Sequence, residues 1–238
     1  MLNIRILPLL VLASVVTVVL DGLGILGHEW WEWQRIHGLW RQVDLNQEGN
    51  FASWFEAFIL LCCTIAAAGN TVLARSRNDP HARRWFVVSA LLLVMTVDEA
   101  SQIHDMATSG MRKLLDVEMG DSLFFAWVIP AALVLVVAGL YLLPLLFALE
   151  PVARLGLLLG GGVYFGGALV VEVISGKVIT PGRDSPGYHA ITLFEEVLEL
   201  AGSLIVLTVL LGIIERADAT IRLRATATTI QATVEQRA

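Results

Sequence analysis

Six apolar runs, each about long enough to cross a bilayer, take up most of this chain of 238 residues and leave no room for a separate water-soluble domain. They fall at about 6–26, 53–73, 85–104, 123–149, 155–175 and 191–214. A helix needs about 20 apolar residues to span a hydrocarbon layer some 30 Å thick. Inside that layer every backbone amide must be satisfied by its own segment, which selects helices. The expected fold is therefore all-α: a polytopic membrane helix bundle of six transmembrane helices in one domain, 1–214, followed by a polar tail, 215–238. Within it, Arg222–Ala238 is polar, has only weak apolar positions and reads as a surface helix or disorder. Hydrophobic residues make up 56% of the chain and charged residues 16%, whereas soluble domains average about 45–50% and about 25%.

The basic residues orient this bundle. Arg5, Arg75, Arg77, Arg83, Arg84, Arg154, Arg216, Arg222, Arg224 and Arg237 would lie on one side, against Arg35, Arg41, Arg112, Lys113, Lys177 and Arg183 on the other. The positive-inside rule then puts both termini in the cytoplasm. No Ala-x-Ala site follows the first run, so it is expected to stay as an uncleaved membrane helix rather than a signal peptide. A net charge of −6 and a pI near 5.3 exclude a nucleic-acid partner, which calls for a basic face.

Under this topology all of the 22 acids except Asp79, Glu150, Glu215, Asp218 and Glu235 fall in the outer loops or the outer halves of helices. His28, His37, His104 and His189 join them. Segments of alternating direction thus bring their ionisable residues to one leaflet. The expectation is a polar cavity opening outward at the ends of helices 1, 2, 3, 5 and 6.

Two motifs carry the chemistry. Asp98-Glu99-Ala100-Ser101-Gln102-Ile103-His104-Asp105 closes the third run, and Glu195-Glu196-Val197-Leu198-Glu199 opens the sixth. A charge at mid-bilayer costs roughly 2.5–3.5 kcal/mol even on insertion scales. On one continuous helix, Asp98, Ser101, Gln102 and Asp105 would share a face, and Thr192, Glu195, Glu196, Glu199 and Ser203 would form a second polar stripe. Two facing acidic stripes need a proton, an ion or metal, or a basic partner between them.

Carboxylates with an imidazole suit a divalent metal such as Zn, Mn or Fe. The candidate metal ligands are Asp98, Glu99, His104, Asp105, Glu195, Glu196 and Glu199. The candidate catalytic groups are Glu172, as further ligand or general base, and Ser101. Neither Glu-x-x-His nor His-Glu-x-x-His occurs around them; the spacing is Glu99-x4-His104.

Other features have plainer readings. Adjacent Cys62 and Cys63 are small apolar helix residues. Gly160–Gly162, Gly166 and Gly167 permit tight helix packing. Trp30, Trp31, Trp33, Trp40 and Trp54 fit an interfacial belt, or a lid carrying Asp21, His28 and Glu32 on one face. Glu56 has the ordinary place of an acid near a helix N-terminus. Pro130 and Pro144 read as kinks in a scaffold helix.

The stretch Thr96–Asp105, with Phe125-Ala126-Trp127-Val128-Ile129-Pro130, Val171-Glu172-Val173-Ile174-Ser175-Gly176, Glu195–Gly202 and the entry Asn50–Phe55, resembles a family of uncharacterised bacterial six-helix integral membrane proteins. There a Leu-Asp-Glu…Ile-His-Glu stretch ends one helix; here Asp105 stands where Glu is usual. That resemblance implies a multi-pass protein of the bacterial cytoplasmic (inner) membrane and a polar site, without a chemistry. A looser likeness, at Ser101 and His104, is to alkaline-ceramidase-type membrane hydrolases, although no paired-histidine motif stands near the chain's end.

The leading functional expectation is a metal-binding site with hydrolytic or oxidative activity on a lipid-soluble or periplasmic substrate. The alternatives are a proton- or cation-linked transporter or accessory protein, and a structural membrane subunit. The partners expected are the lipid bilayer and a small-molecule or lipid ligand. Oligomeric state is not legible in the sequence.

Overall fold

The computed structural model describes residues 6–31, 37–47, 49–180, 182, 185–217, 219–226 and 229–236. Its helices are α1 (Leu7–Trp31), the short α2 (His37–Val43), α3 (Phe51–Ser76), α4 (Ala82–Ser101), α5 (Ile103–Leu115), α6 (Val128–Ala148), α7 (Pro151–Phe165), α8 (Glu172–Val178) and α9 (Pro186–Arg216). A π-helical turn, Gly166–Val171, joins α7 to α8. Among the described residues five helical stretches are long and apolar enough to cross a membrane: Leu7–Gly27, Phe51–Ser76, Val128–Ala148, Pro151–Val178 and Pro186–Arg216. The pair α4–α5 makes a sixth if it is counted as one span, but it is bent by 82°.

That bend corrects the expectation of one straight helix over 85–104. Gln102 takes a left-handed conformation, φ +57°, while its N–H still bonds the Asp98 carbonyl at 2.7 Å. The Asp98 carboxylate then accepts the His104 N–H at 2.8 Å. A short acid at this point satisfies an orphan amide of the new helix, as a capping residue does. The break is therefore written into the Asp-Glu…His motif, which sequence periodicity alone reads straight through. It also removes the shared face expected for Asp98 and Asp105, since the two now sit on differently directed helices.

α3 forms the centre of the bundle. A reciprocal capping box starts it: Asn50 Oδ1 accepts the Ser53 N–H at 3.0 Å and Ser53 Oγ accepts the Asn50 N–H at 3.2 Å. Ile59, Cys63 and Ala67 on α3 pack with Leu207 and Leu210 of α9 with no exposed surface. Cys62 and Cys63 are both buried free thiols. Asn70 Nδ2 donates to the carbonyls of Ala66 and Leu210, each at 3.0 Å, tying α3 to α9 by a polar bond inside the apolar core.

α7 approaches α9 closely because glycines face each other. A Cβ on Gly202 would stand 2.5 Å from the Tyr164 nitrogen and 2.7 Å from the Gly160 oxygen. Gly161, Gly162 and Gly166 meet nothing within 4 Å, so the tight packing expected of the whole glycine cluster belongs to Gly160 and Gly167 within it. α6 stands apart: its most apolar 18 residues are 6% buried, against 67% for those of α3.

The tail differs from the surface helix or disorder expected. Ala219–Thr226 and Thr229–Gln236, β1 and β2, pair as an antiparallel hairpin with Ile221 opposite Val234, Leu223 opposite Ala232 and Ala225 opposite Ile230. Apolar residues at alternate positions of both strands supply the period-two pattern that a hairpin needs.

Candidate functional site

One cavity of about 650 Å³ lies among α3, α4, α5, α6, α9 and the α7–α8 turn. Each carboxylate reaches it for a local reason. Glu56 projects from the second turn of α3, placed by the Asn50 cap. Asp98 and Glu99 end α4, while His104 and Asp105 begin α5 beyond the break. Glu172 follows the π turn, where an extra residue per turn resets the register of the helix. Within that turn a Cβ on Gly167 would meet the Glu195 carbonyl oxygen at 2.9 Å and Glu199 Cγ at 3.1 Å, so the glycine is what lets Glu172 come alongside α9. Glu195, Glu196 and Glu199 line the facing side of α9.

Hydrogen bonds link most of the acidic wall. His104 Nδ1 stands 3.1 Å from Asp98 Oδ2, a pairing in which the ring N–H donates and the imidazole is fixed in place. The His104 ring lies 5.1 Å from that of Trp127, centroid to centroid. Trp127 Nε1–H donates to Glu172 Oε1 at 3.1 Å, and Ser175 Oγ–H stands 3.1 Å from the other Glu172 oxygen. Glu172 in turn is within hydrogen-bonding reach of Glu195, which is 6% exposed. On the far side Glu56 reaches both Glu196 and Glu99, and the Tyr164 hydroxyl donates to Glu199. One Glu56 oxygen is buried with no hydrogen-bond partner.

Eight acids and one histidine thus line a single cavity, and none of its described lining residues is Lys or Arg. Carboxyl groups this close repel one another unless protons or other cations lie between them. Among the described residues no three of His, Cys, Asp and Glu stand in an arrangement that would hold a metal ion. A metal would therefore need the carboxyls now turned toward one another to rotate.

Of the residues singled out by sequence, Asp98, Glu99, His104, Asp105, Glu172, Glu195, Glu196 and Glu199 come together here. Ser101 does not: it is exposed at the end of α4 and lies outside the wall. α1 contributes no described lining residue. Its Asp21, 1% exposed, accepts the Trp40 Nε1–H at 3.0 Å instead. The His28 side chain, Glu32, Trp33 and the side chains of Trp30 and Trp31 lie outside the described residues.

Two contributors were not assigned to the site from sequence. By sequence Glu56 reads as an acid near a helix N-terminus, although its depth on α3 matches the other acids. Tyr164 sits in an apolar run where a buried phenol needs a polar partner, which was the available signal.

No curated protein and no solved structure matches the chain. A family model does, over residues 9–213, from within the first apolar run almost to the end of the sixth, and it carries neither an activity nor a link to the alkaline ceramidases. The chain belongs to the family described as a domain of unknown function, DUF8692.

Proposed function

We propose that the chain is a six-span protein of the bacterial inner membrane, both termini cytoplasmic, whose acidic chamber opens toward the outer leaflet and binds a divalent cation. The observation that carries this reading is the donor set: eight acids and one imidazole around one cavity, with no Lys or Arg in its described wall. In a low-dielectric setting such a set is stable only when protons or other cations offset its charge, and a divalent cation offsets two charges at once. The chemistry of the donors suits Zn, Mn or Fe.

Glu56, Glu99, Glu196 and Glu199 would hold the ion after rotating apart, with His104 the one nitrogen donor and Asp98 fixing its orientation. Glu172, pinned by Trp127 and Ser175, is placed as further ligand or base. A bound ion would supply Lewis acidity, serving hydrolytic or oxidative chemistry on a lipid-soluble or periplasmic substrate.

A second reading, a proton-linked carrier, is favoured by one specific observation: the carboxyls of Glu56, Glu99 and Glu196 face one another directly, which a shared proton accommodates. Elemental mass spectrometry of protein purified without chelators separates the two. Stoichiometric metal that disappears in Glu99→Ala and Glu196→Ala supports the metal reading. Its absence from the wild type refutes it and leaves the proton-linked one.

A further inference from the structure

The chamber is only one end of the cavity. Toward the middle of α4 and α6 its wall becomes apolar, formed by Val94, Met95, Val134, Leu135, Ala138 and Leu169. Val94 and Val134 line this part of the cavity and keep 64% and 55% of their surface exposed. Wall residues this exposed mark an opening rather than a sealed end. This one lies between α4 and α6, on a face that the proposed topology turns to lipid. It exists because α6 is barely covered by its neighbours.

We infer that this cleft admits a single-chain amphiphile from the bilayer, its polar end among the carboxylates and its apolar chain between α4 and α6. The inference rests on the cation-binding reading of the same chamber and adds the class of molecule that the site takes. Three observations carry it. The cavity is continuous from acids to apolar wall, as an amphiphile requires. Its long direction matches that of a lipid: from Glu99 to Leu91 the cleft follows α4 for eight residues, about 12 Å at 1.5 Å per residue, with its acidic end toward the leaflet surface and its apolar end toward the membrane centre.

Finally, the charge of the wall selects the head. With eight acids and no Lys or Arg, the wall offers carboxyl partners to a neutral or cationic head and no basic side chain to an anionic one. A volume of about 650 Å³ lies within the range of pockets for drug-sized ligands and suits one chain.

The test is photolabelling of the full chain in lipid nanodiscs with a diazirine-bearing hexadecylamine, beside the matching hexadecanoic acid. The amine should label peptides of α4 and α6 at the cleft, the acid should not, and unlabelled hexadecylamine should compete. Ala138→Trp, which fills the cleft, should reduce labelling about tenfold, the loss that 1.4 kcal/mol of affinity produces, while leaving metal content unchanged. Equal labelling by amine and acid, no competition by unlabelled amine, or undiminished labelling of Ala138→Trp would overturn the inference. Competition on the wild type needs no variant to fold. Labelling that persists in a wild type free of metal would instead count against the metal reading and leave the amphiphile site standing.

Discussion

Replacing Gly202 by Ala tests whether the α7–α9 contact holds the chamber together. The added Cβ would stand 2.5 Å from the Tyr164 nitrogen and 2.7 Å from the Gly160 oxygen, both backbone atoms that cannot swing aside. Ordinary contact at about 3.4–4 Å requires the two helices to part by roughly 1 Å, an overpacking that costs about 1–3 kcal/mol, here at the upper end. Ala in a helix returns about 0.5–1 kcal/mol relative to Gly. The net loss of about 2 kcal/mol lowers Tm by about 4–8 °C for a chain of this size. Gly161→Ala is the control, because its Cβ meets nothing within 4 Å.

The assay is thermal unfolding in detergent, followed by intrinsic fluorescence. Parting the helices also draws Tyr164 from Glu199, so cation binding should weaken in Gly202→Ala and not in Gly161→Ala. Equal Tm values for the two variants would refute the reasoning.

Asp98→Ala should cost about 0.5–2 kcal/mol, the worth of a cap, and lower Tm, while Asp98→Asn keeps an acceptor for the His104 N–H and should stay near the wild type; similar losses in both would show that capping is not what the acid does. Asn70→Ala leaves the core without its bonds to Ala66 and Leu210 and should destabilise by about 1–3 kcal/mol in thermal or denaturant unfolding, with metal content unaltered. Asp44, in the turn after α2, has its carboxyl pushed up to about 6, first by burial and then by nearby Asp21, against the Asn46 N–H that it accepts at 3.0 Å. Its folded state therefore holds a proton that the unfolded chain has already released, so its contribution to stability falls as pH rises from about 4 to about 6. Asp44→Asn, which can still accept the Asn46 N–H, should lose that part of the slope in a Tm series across pH. An unchanged slope would exclude Asp44 as its source.

The apolar runs were legible in the sequence because length and hydropathy report directly on bilayer thickness: the helices at 7–27, 51–76, 128–148 and 186–216 each overlap an expected span. The break at Gln102 was not legible. It depends on one carboxylate turning back to an amide six residues on, which hydrophobic periodicity does not register. The same holds for the chamber. Counting acids by leaflet brought out Glu99, Glu172 and Glu195–Glu199, because burying charge is costly enough to leave a mark in composition.

That count could not separate Asp21, which serves Trp40, from Glu56, which lines the cavity. Depth along a helix was readable and facing was not. Nor did it give α6 a role in the wall. Apolar side chains that line a cleft look like those that face lipid, and Val94 and Val134, which line the cavity, are also largely exposed. In the tail the two-residue period of Ile221, Leu223 and Ala225 was present but too short to outweigh the polar composition around it.

The central claim, that the chamber's carboxyls hold a cation, is tested most directly by calorimetric titration of Mn2+ into the detergent-purified wild type in two buffers of different ionisation enthalpy. The account predicts saturable binding with protons released to the buffer, because carboxyls that share protons must give them up to admit the ion, and loss of that binding in Glu56→Ala and Glu196→Ala. No saturable binding by the wild type, or binding unchanged in both variants, would contradict it.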